Sequence, residues 1–296
     1  MTPGPSDLIG VLNVNKASGW TAHDVVARVR RLSGQRRVGH AGTLDPLAEG
    51  VLPVLLGPAT RLTELAQAGR KRYLADIQLG SATTTDDAEG EVLHRSPVPP
   101  LDRALVESAL RHFEGEIDQM PPRFSAIKVG GRRAYAVARA GGELVLSPRR
   151  IVVYRLSLIG LEPERLVLDV ECGRGSYVRS LARDLAVALG TRGHLRHLVR
   201  TQVGDLRLAD ARTLDEIADV GVTQALLPPD VLLAGTPAYE ADSSTLTALL
   251  HGRPVPVPGM CGPHVQVRDA GGRLRLVGSA DGVLLRPRIS LVRDQA

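Results

Sequence analysis

The sequence predicts an α+β protein in which a large N-terminal domain is followed by a small β-rich module. Two observations support the first domain: segments that alternate apolar and polar residues are typical of strands, and amphipathic segments with helix-capping signals lie between them. A third observation, the change to Pro- and Gly-rich sequence from about residue 227, predicts a boundary. We therefore expect the first domain over residues 1–230 and the second over residues 237–296.

The composition limits the classes of protein to which the sequence can belong. The 296 residues carry a formal charge of +5, and only three of the 37 basic residues are lysine. Arginine suits bidentate contact with phosphate, although a genome that favours arginine explains the same excess equally well. Cys172 and Cys261 are isolated, which argues against a disulfide framework or a metal site. The chain has no signal-peptide pattern and no apolar run of roughly 18 residues, so we expect a cytoplasmic protein without a membrane anchor.

The first elements are a strand and a capped helix. The apolar residues 8–14 predict a buried strand. Thr21 followed by Asp24 forms a capping-box pattern, and Gly34 ends the amphipathic segment. We therefore predict a helix between Thr21 and Gly34.

Residues 39–50, GHAGTLDPLAEG, are the main candidate for a functional site. Their three glycines and one proline exclude a long regular element and predict an ordered loop. The loop carries His40 and two carboxylates, of which Asp45 would lie within reach of an anion bound by the arginines just upstream. Taken alone, however, Asp45 before Pro46 is typical of a helix N-cap, and a lone His40 is more often structural.

Residues 71–80 alternate as a strand does, which places Tyr73 on the inward face. Taken alone, an inward tyrosine is a core residue. The polar residues 80–91 follow, and their acidic side chains have no metal-ligand spacing. We therefore predict a solvated turn there and no metal site.

The rest of the chain continues the pattern. We predict a helix over residues 102–113 and another from residue 178 to Gly190. The predicted core face of the first of these helices consists of Leu105, Ala109 and Phe113. The predicted core face of the second consists of Val178, Leu181, Leu185 and Leu189. The remaining predicted strands span residues 151–161, 166–172, 264–268, 273–277 and 283–286, and the last three predict a small barrel-like module.

Residues 120–142 contain a glycine pair between basic residues. Gly130 and Gly131 between Lys128 and Arg132 predict a tight turn with a positively charged tip. Such a tip suits phosphate binding, and an exposed basic hairpin without a ligand fits the composition equally well.

Three strings of the sequence resemble the motifs of one family. Residues 40–50 closely resemble the His-Ala-Gly-Thr-Leu-Asp-Pro-x-Ala-x-Gly motif of TruB-type tRNA pseudouridine-55 synthases. Residues 71–73 (KRY) and 173–181 (GRGSYVRSL) resemble the second and third motifs of that family. The resemblance implies a pseudouridine-synthase-like, mixed and mainly antiparallel sheet flanked by helices, followed by a C-terminal β-rich PUA-like module.

The resemblance also implies roles for individual residues. Asp45 corresponds to the catalytic aspartate, Tyr73 to the tyrosine beside the target uracil, and Arg179 to the arginine that pairs with the aspartate. The residues implied to bind the substrate are Lys16, His40, Lys71, Lys128, Arg132, Tyr177 and Leu198. Residues 120–142 correspond to an RNA-gripping arm, and Leu198 to an apolar side chain that closes the site.

We therefore expect an enzyme that isomerises uridine 55 in the T loop of tRNA to pseudouridine. The reaction moves the glycosidic bond from N1 to C5 without redox change or loss of atoms, so we expect no cofactor. The expected partner is the T-stem-loop of tRNA, bound by a monomer with no obligate protein partner.

Other classes of function stay open at this point. One is a nucleosidase-like hydrolase that uses Asp45 and His40, and another is a non-catalytic RNA-binding or folding factor. A guide-RNA-dependent enzyme of the same superfamily fits less well, because the basic arm resembles that of the stand-alone members.

We predict that the basic turn of the arm acts on affinity. Replacing Lys128, Arg132 and Arg133 together by glutamine removes up to three phosphate contacts, each contributing roughly one unit to the slope of log affinity against log salt. Binding of tRNA should weaken most at low salt, and the slope should become shallower. Filter binding across a salt series measures both, and wild-type affinity and slope in the triple variant would show that the arm does not grip phosphate.

Overall fold

The computed structural model describes residues 8–125, 128–129, 132–133 and 146–292. The strands are β1 (Gly10–Lys16), β2 (Val38–His40), β3 (Glu49–Leu56), β4 (Lys71–Leu79), β5 (Ser81–Thr83), β6 (Val92–Arg95), β7 (Gly115–Gln119), β8 (Lys128–Val129), β9 (Arg132–Arg133), β10 (Arg149–Glu162), β11 (Arg165–Cys172), β12 (Gly193–Val203), β13 (Leu206–Arg207), β14 (Ala238–Glu240), β15 (Val255–Pro256), β16 (Cys261–Arg268), β17 (Leu274–Asp281) and β18 (Leu284–Ser290). Within these residues, the helices are α1 (Ala22–Ser33), α2 (Thr63–Ala68), α3 (Arg103–Leu110), α4 (Val178–Ala188), α5 (Leu214–Val220), α6 (Val222–Ala225) and α7 (Ser243–Leu250).

The larger sheet contains nine of the described strands, in the order β1-β3-β12-β4-β11-β10-β7, with β2 paired to β3 and β13 paired to β12. Its paired strands are antiparallel, except that β3 and β12 run parallel. This mixed, mainly antiparallel sheet confirms the predicted fold class. The parallel pairing places Gly50 directly beside Arg200.

Local sequence explains why α1 and β4 form where they do. The hydroxyl oxygen of Thr21 accepts from the N–H of Asp24, whose carboxylate accepts from the N–H of Thr21. Gly34, with a φ of 66°, ends the helix in the left-handed conformation. The inward face of β4 is buried and consists of Tyr73, Ala75, Ile77 and Leu79. Both elements confirm the sequence prediction.

The main core lies against the large sheet and is covered by α1 and α4. Val25 of α1 and Leu181 and Leu185 of α4 are buried in it, together with Tyr73 of β4 and Leu198 of β12. The predicted core face of α4 is therefore confirmed. Tyr73 and Leu198, two of the candidate site residues, are therefore part of the core, where close packing restricts their side-chain conformations.

The predicted core face of α3 is wrong at Leu105. This side chain is 50% exposed, whereas Val106 and Leu110 are buried in the main core. The helix ends at Leu110 and continues as the 3-10 turn Arg111–Phe113. The buried pair, Val106 and Leu110, therefore lies one residue further along the helix than the predicted pair, Leu105 and Ala109. Ala109 and Phe113 pack only partly against the core.

The second large sheet contains five strands in the order β14-β16-β17-β18-β15. Each of the three strands predicted in this region overlaps one of them, whereas α7 has no counterpart in the prediction. The segment before this sheet is tied to β1, because Leu227 and Val11 exchange two backbone hydrogen bonds of 2.9 and 2.8 Å. Leu233 and Val277 also share an apolar cluster with Val11. The domain boundary itself stays a prediction.

Strands β8 and β9 pair antiparallel, with Lys128 opposite Arg133 and Val129 opposite Arg132. The Gly130-Gly131 turn and the side chains of Lys128 and Arg132 lie outside the described residues, so their contact with RNA stays a prediction. Among the described helices, none is long and apolar enough to cross a membrane.

A substitution at Gly50 tests how closely β3 and β12 approach each other. Its φ is 101°, and a Cβ here would lie 2.3 Å from the carbonyl oxygen of Arg200. We predict that Gly50→Ala lowers the free energy of unfolding by more than about 3 kcal/mol, since backbone strain of about 1–2 kcal/mol adds to a clash that only a backbone shift relieves. Urea unfolding measures the loss.

Gly115→Ala is the matched control for this substitution. Gly115 has a φ of 89°, but no atom lies within 4 Å of the point that a Cβ would occupy. Its replacement should therefore show the backbone strain alone. Equal losses in the two variants would show that the approach of β3 and β12 is not a tight constraint.

Candidate active site

The loop between β2 and β3 carries Asp45 and forms no helix. The interpretation of Asp45 as a helix cap is therefore wrong. The loop turns after Asp45, where the N–H of Ala48 donates to the carbonyl oxygen of Asp45 at 3.1 Å. The Asp45 side chain is 36% exposed, so its carboxylate is open to a ligand.

Lys16, at the end of β1, holds this loop from one side. Its buried ammonium donates to the carbonyl oxygens of Ala17, Trp20 and Pro46 at 2.9, 2.6 and 3.2 Å. An ammonium has three protons, so each has a backbone acceptor. Burial lowers the pKa of Lys16 to about 8, against the opposing effect of Asp45. These contacts position the loop, and the predicted contact of Lys16 with a substrate stays a prediction.

Arg200 of β12 holds the same loop from the other side. Its guanidinium is 1% exposed and donates to the carbonyl oxygens of Val51, Gly42 and Thr43 at 2.7, 3.0 and 3.3 Å. Carbonyl groups before and after Asp45 are thus bound to one rigid planar group. The Asp45 loop is therefore fixed by a buried cation on each side.

Arg179, in the first turn of α4, reaches the Asp45 carboxylate. Its Nε lies 2.9 Å from Oδ2 of Asp45. The Nε–H has no aligned acceptor, so the contact is an ion pair without a well-formed hydrogen bond. The structure thus brings together the aspartate and the arginine that the family resemblance pairs.

Three further groups fix the guanidinium of Arg179. Nη1 donates to the carbonyl oxygen of Thr85 at 2.8 Å, and Nη2 donates to that of Phe124 at 3.0 Å. Nη1 also lies 3.4 Å from Oδ2 of Asp87. A guanidinium buried in this way has little freedom to follow a moving partner, so Arg179 defines where Asp45 can rest.

The prediction of a solvated turn over residues 80–91 is wrong for Asp86 and Asp87. Asp87 is 3% exposed and lies beside Arg179. Oδ2 of Asp86 lies 2.9 Å from Nη1 of Arg183. The two arginines are one helical turn apart on α4, where like charges repel. Each therefore takes one carboxylate of the turn, which draws the turn onto the helix.

Tyr73 lies on β4 directly opposite Arg200 of β12. Burial raises the pKa of the Tyr73 phenol to about 12, so the hydroxyl is protonated at neutral pH. In this state it can donate a hydrogen bond, whereas a phenolate that accepts a proton is scarce. Stacking of Tyr73 beside a base stays a prediction.

His40 ends β2, and its ring meets that of His23 edge-on with centroids 5.9 Å apart. Nδ1 of His40 is buried without a hydrogen-bond partner among the described residues. Burial, with a smaller contribution from His23, lowers the pKa of His40. A neutral imidazole with an unmet hydrogen bond therefore stands at the start of the Asp45 loop.

The other predicted substrate-binding residues make structural contacts. Lys71 donates from Nζ to the carbonyl oxygens of Gln67 and Gly69, both at 2.6 Å. Leu198 is buried in the main core. Tyr177 directly precedes α4, and burial raises the pKa of its phenol. Contact of Lys71, Leu198 and Tyr177 with a substrate stays a prediction.

Arg200 and Asp87 were not predicted from the sequence. Arg200 had a usable signal, because it shares the inward face of β12 with Leu198, and a charged residue on such a face needs a buried partner. Asp87 had none, since an acidic polar segment is also typical of a solvated turn. Among the residues described by the structure, no cluster of His, Cys, Asp and Glu could hold a metal ion. The arrangement offers an exposed carboxylate held in one place by buried cations.

Comparison with known proteins gives matches over most of the chain. The model of the TruB family pseudouridylate synthase N-terminal domain matches residues 30–178, and that of the tRNA pseudouridylate synthase B C-terminal domain matches residues 179–233. The tRNA pseudouridine synthase B of Thermobifida fusca (strain YX) is 45% identical over 262 residues, which cover 86% of this chain and 89% of that protein. A protein of the same name from Mycobacteroides abscessus is 40% identical over 294 residues, covering 96% and 98%.

Solved structures share the fold. A chain in the crystal structure of a Cbf5–Nop10–Gar1 complex matches with a TM-score of 0.74 and 24% sequence identity. The match covers 96% of this chain and 85% of that one. At this identity the likeness supports the fold alone.

We predict that Arg200→Lys lowers the free energy of unfolding by about 2–4 kcal/mol. Lysine keeps the charge, but its single ammonium cannot reach three carbonyl groups spread around the loop, and each buried group left unpaired costs about 1–3 kcal/mol. Urea unfolding measures the loss. The control is Arg155→Lys, at an exposed arginine that pairs with Asp169, where less than about 1 kcal/mol is expected. Similar losses in both variants would contradict the proposed support of the loop.

Proposed function

Because the chain belongs to the TruB family of pseudouridylate synthases, we propose that it converts uridine 55 in the T loop of tRNA to pseudouridine, with Asp45 as the catalytic carboxylate. Relatives with 40–45% sequence identity to it are named tRNA pseudouridine synthase B. The observation that carries the assignment of the site is the ion pair between Asp45 and the buried Arg179.

The reaction explains why one carboxylate suffices. The bond between N1 and C1′ breaks, the uracil rotates, and a bond between C5 and C1′ of the same ribose forms. Atoms and oxidation state are conserved, so we propose that no cofactor takes part. A carboxylate beside the sugar–base junction acts as nucleophile or as base, and Asp45 is exposed enough to take this position.

The target base must leave its stack before Asp45 can reach the junction. We propose that Tyr73 stacks against the extruded uracil and that His40 contacts the RNA beside it. The neutral state of both side chains supports this division, since a protonated phenol and a neutral imidazole fit an uncharged base. Leu198 would close the apolar side of the pocket, and Tyr177 would contact the RNA next to Arg179.

The two buried cations next to the loop have a different role in this proposal. Lys16 and Arg200 bind backbone carbonyl groups of the loop, so they position Asp45 without touching the reacting atoms. Lys71 would support Tyr73 from two residues away on β4. Pre-organisation of this kind lowers the barrier because the catalytic group needs no reordering in the transition state.

We propose that other parts of the chain provide the affinity for RNA. Lys128 and Arg132 of the arm would bind phosphate, and the C-terminal sheet would act as a PUA-like RNA-binding module. We further propose that the protein acts on the T-stem-loop as a cytoplasmic monomer, without an obligate protein partner. A stand-alone enzyme is supported by the 40–45% identity to relatives named as tRNA pseudouridine synthases.

One assay separates this function from its rivals. Purified protein is incubated with unmodified tRNA transcript, and pseudouridine is mapped by chemical probing. Pseudouridine at position 55 is the expected result. Release of free uracil would identify a hydrolase instead, and tRNA binding without either product would identify a non-catalytic factor.

We predict that Asp45→Asn reduces the single-turnover rate by at least about 1,000-fold, which corresponds to about 4 kcal/mol of transition-state stabilisation. Binding of tRNA should change less than about threefold, because phosphate contacts lie elsewhere. Rapid-quench kinetics and filter binding measure the two effects. Asp219→Asn, at an exposed carboxylate of α5, is the control, and substantial turnover by Asp45→Asn would show that the carboxylate is assigned wrongly.

A further inference from the structure

The outward face of α1 carries arginines that have no carboxylate partner among the described residues. Arg28, which is half-buried, and Arg31, which is exposed, lie three residues apart on this face, and Arg36 is exposed just after the helix. Among the described residues, no carboxylate lies within ion-pair distance of these three. Some arginines elsewhere in the chain are paired with carboxylates, such as Arg103 with Glu107 at 3.1 Å.

The indole of Trp20 lies at the start of the same face. It is 39% exposed and lines a groove of about 330 Å³ together with Asp24, Ala27 and Arg31. Asp24 is already engaged, because its carboxylate accepts hydrogen bonds from the N–H and the hydroxyl of Thr21. The groove therefore offers an aromatic surface at one end and an unpaired guanidinium at the other.

Trp20 is also fixed next to the Asp45 loop. Its carbonyl oxygen accepts from Nζ of Lys16 at 2.6 Å, and the same ammonium binds the carbonyl oxygen of Pro46. The neighbouring Gly19 donates from its N–H to the carbonyl oxygen of Pro46 at 2.8 Å. The backbone of Trp20 is therefore held beside the loop that presents Asp45, and α1 begins two residues further on.

General features of helices and surfaces explain only part of this arrangement. A basic residue in the last turn stabilises the helix dipole, which accounts for Arg31 but not for Arg28 in the middle of α1. Single exposed apolar side chains are common, yet Trp20 is exposed and its backbone is also tied to Lys16 next to the Asp45 loop. Aromatic surfaces combined with arginines are the groups that proteins use to hold unstacked RNA.

We propose that Trp20 and the arginines of α1 form an RNA-docking surface that continues from the active site. Trp20 stacks against an unpaired base beside the extruded uridine, and Arg28 and Arg31 bind phosphates of the strand that leaves the site. With a rise of about 1.5 Å per residue, the 12 residues of α1 provide a track of about 18 Å, enough for several nucleotides. This inference rests on the proposed function.

Trp20 is the only tryptophan in the chain, so its emission reports stacking directly. Prefolded, unmodified tRNA transcript is titrated into the full-length protein, with N-acetyltryptophanamide as the control for absorption by the RNA. We expect emission to be quenched in parallel with binding measured on filters. Unchanged emission at saturating tRNA would overturn the stacking.

Two substitutions test whether the stack contributes to affinity. Trp20→Ala removes the ring but keeps the carbonyl group that binds Lys16, and the affinity for tRNA should fall about 5- to 100-fold, as loss of one base–aromatic stack does. Trp20→Phe keeps an aromatic face and should recover most of the affinity. Wild-type affinity in Trp20→Ala, or equal losses in both variants, would contradict the proposal.

The phosphate contacts are tested with a matched pair of double variants. Arg28→Gln with Arg31→Gln should reduce the slope of log affinity against log salt by roughly 1.5 units, because two phosphate contacts are lost. Arg103→Gln with Arg150→Gln removes the same charge from arginines that carboxylates already pair. That control should leave the slope unchanged, and equal changes in the two double variants would reduce the surface to a general charge effect and overturn it.

Failure of this inference is distinguishable from failure of the proposed function. Pseudouridine formation by the wild-type protein is measured separately on the same transcript. If the wild-type protein makes pseudouridine while emission, affinity and salt slope do not respond as stated, the docking surface alone is wrong. If the wild-type protein makes no pseudouridine, the proposed function is wrong. The docking surface, proposed as a part of that enzyme, is then wrong as well.

Discussion

The structure of the site depends on the burial of one arginine. Removing a guanidinium from water costs several kcal/mol unless its donors find partners. Arg179 meets this demand with two carboxylates, Asp45 and Asp87, and with the carbonyl oxygens of Thr85 and Phe124. Those partners come from three separate segments, so a single side chain of α4 ties together the Asp45 loop, the turn after β5 and the segment after β7.

Lys16 and Arg200 extend the same principle to the backbone. Each is a buried cation whose donors are directed at carbonyl groups of the Asp45 loop or of its neighbours. An irregular loop would otherwise leave those groups without partners inside the protein. These carbonyl groups are therefore paired as they would be in a helix or strand, although Gly42, with a φ of 98°, allows a path that neither could follow. The Asp45 carboxylate extends from this support towards solvent.

Local sequence patterns predicted those features that depend on local contacts. The capping box of α1 and the alternation in β4 are local, and both are confirmed. The sequence motifs also placed Asp45 and Arg179 in one site, and the structure brings them together. Asp87 and Leu105 were misjudged for a common reason: whether a turn or a helix face is buried depends on what packs on it. The partner of Asp87 is an arginine that lies far along the chain, and no local pattern reveals it.

We propose that Arg179 holds Asp45 in the orientation that the chemistry needs. Arg179→Lys tests it most directly, because lysine keeps the positive charge but loses the planar group that binds four partners at once. The measurement compares the single-turnover rate of pseudouridine formation with the dissociation constant for tRNA. A rate that falls at least about 100-fold, or about 2.7 kcal/mol, with a dissociation constant close to wild type is the predicted result. A wild-type rate would contradict the account, since charge alone would then suffice.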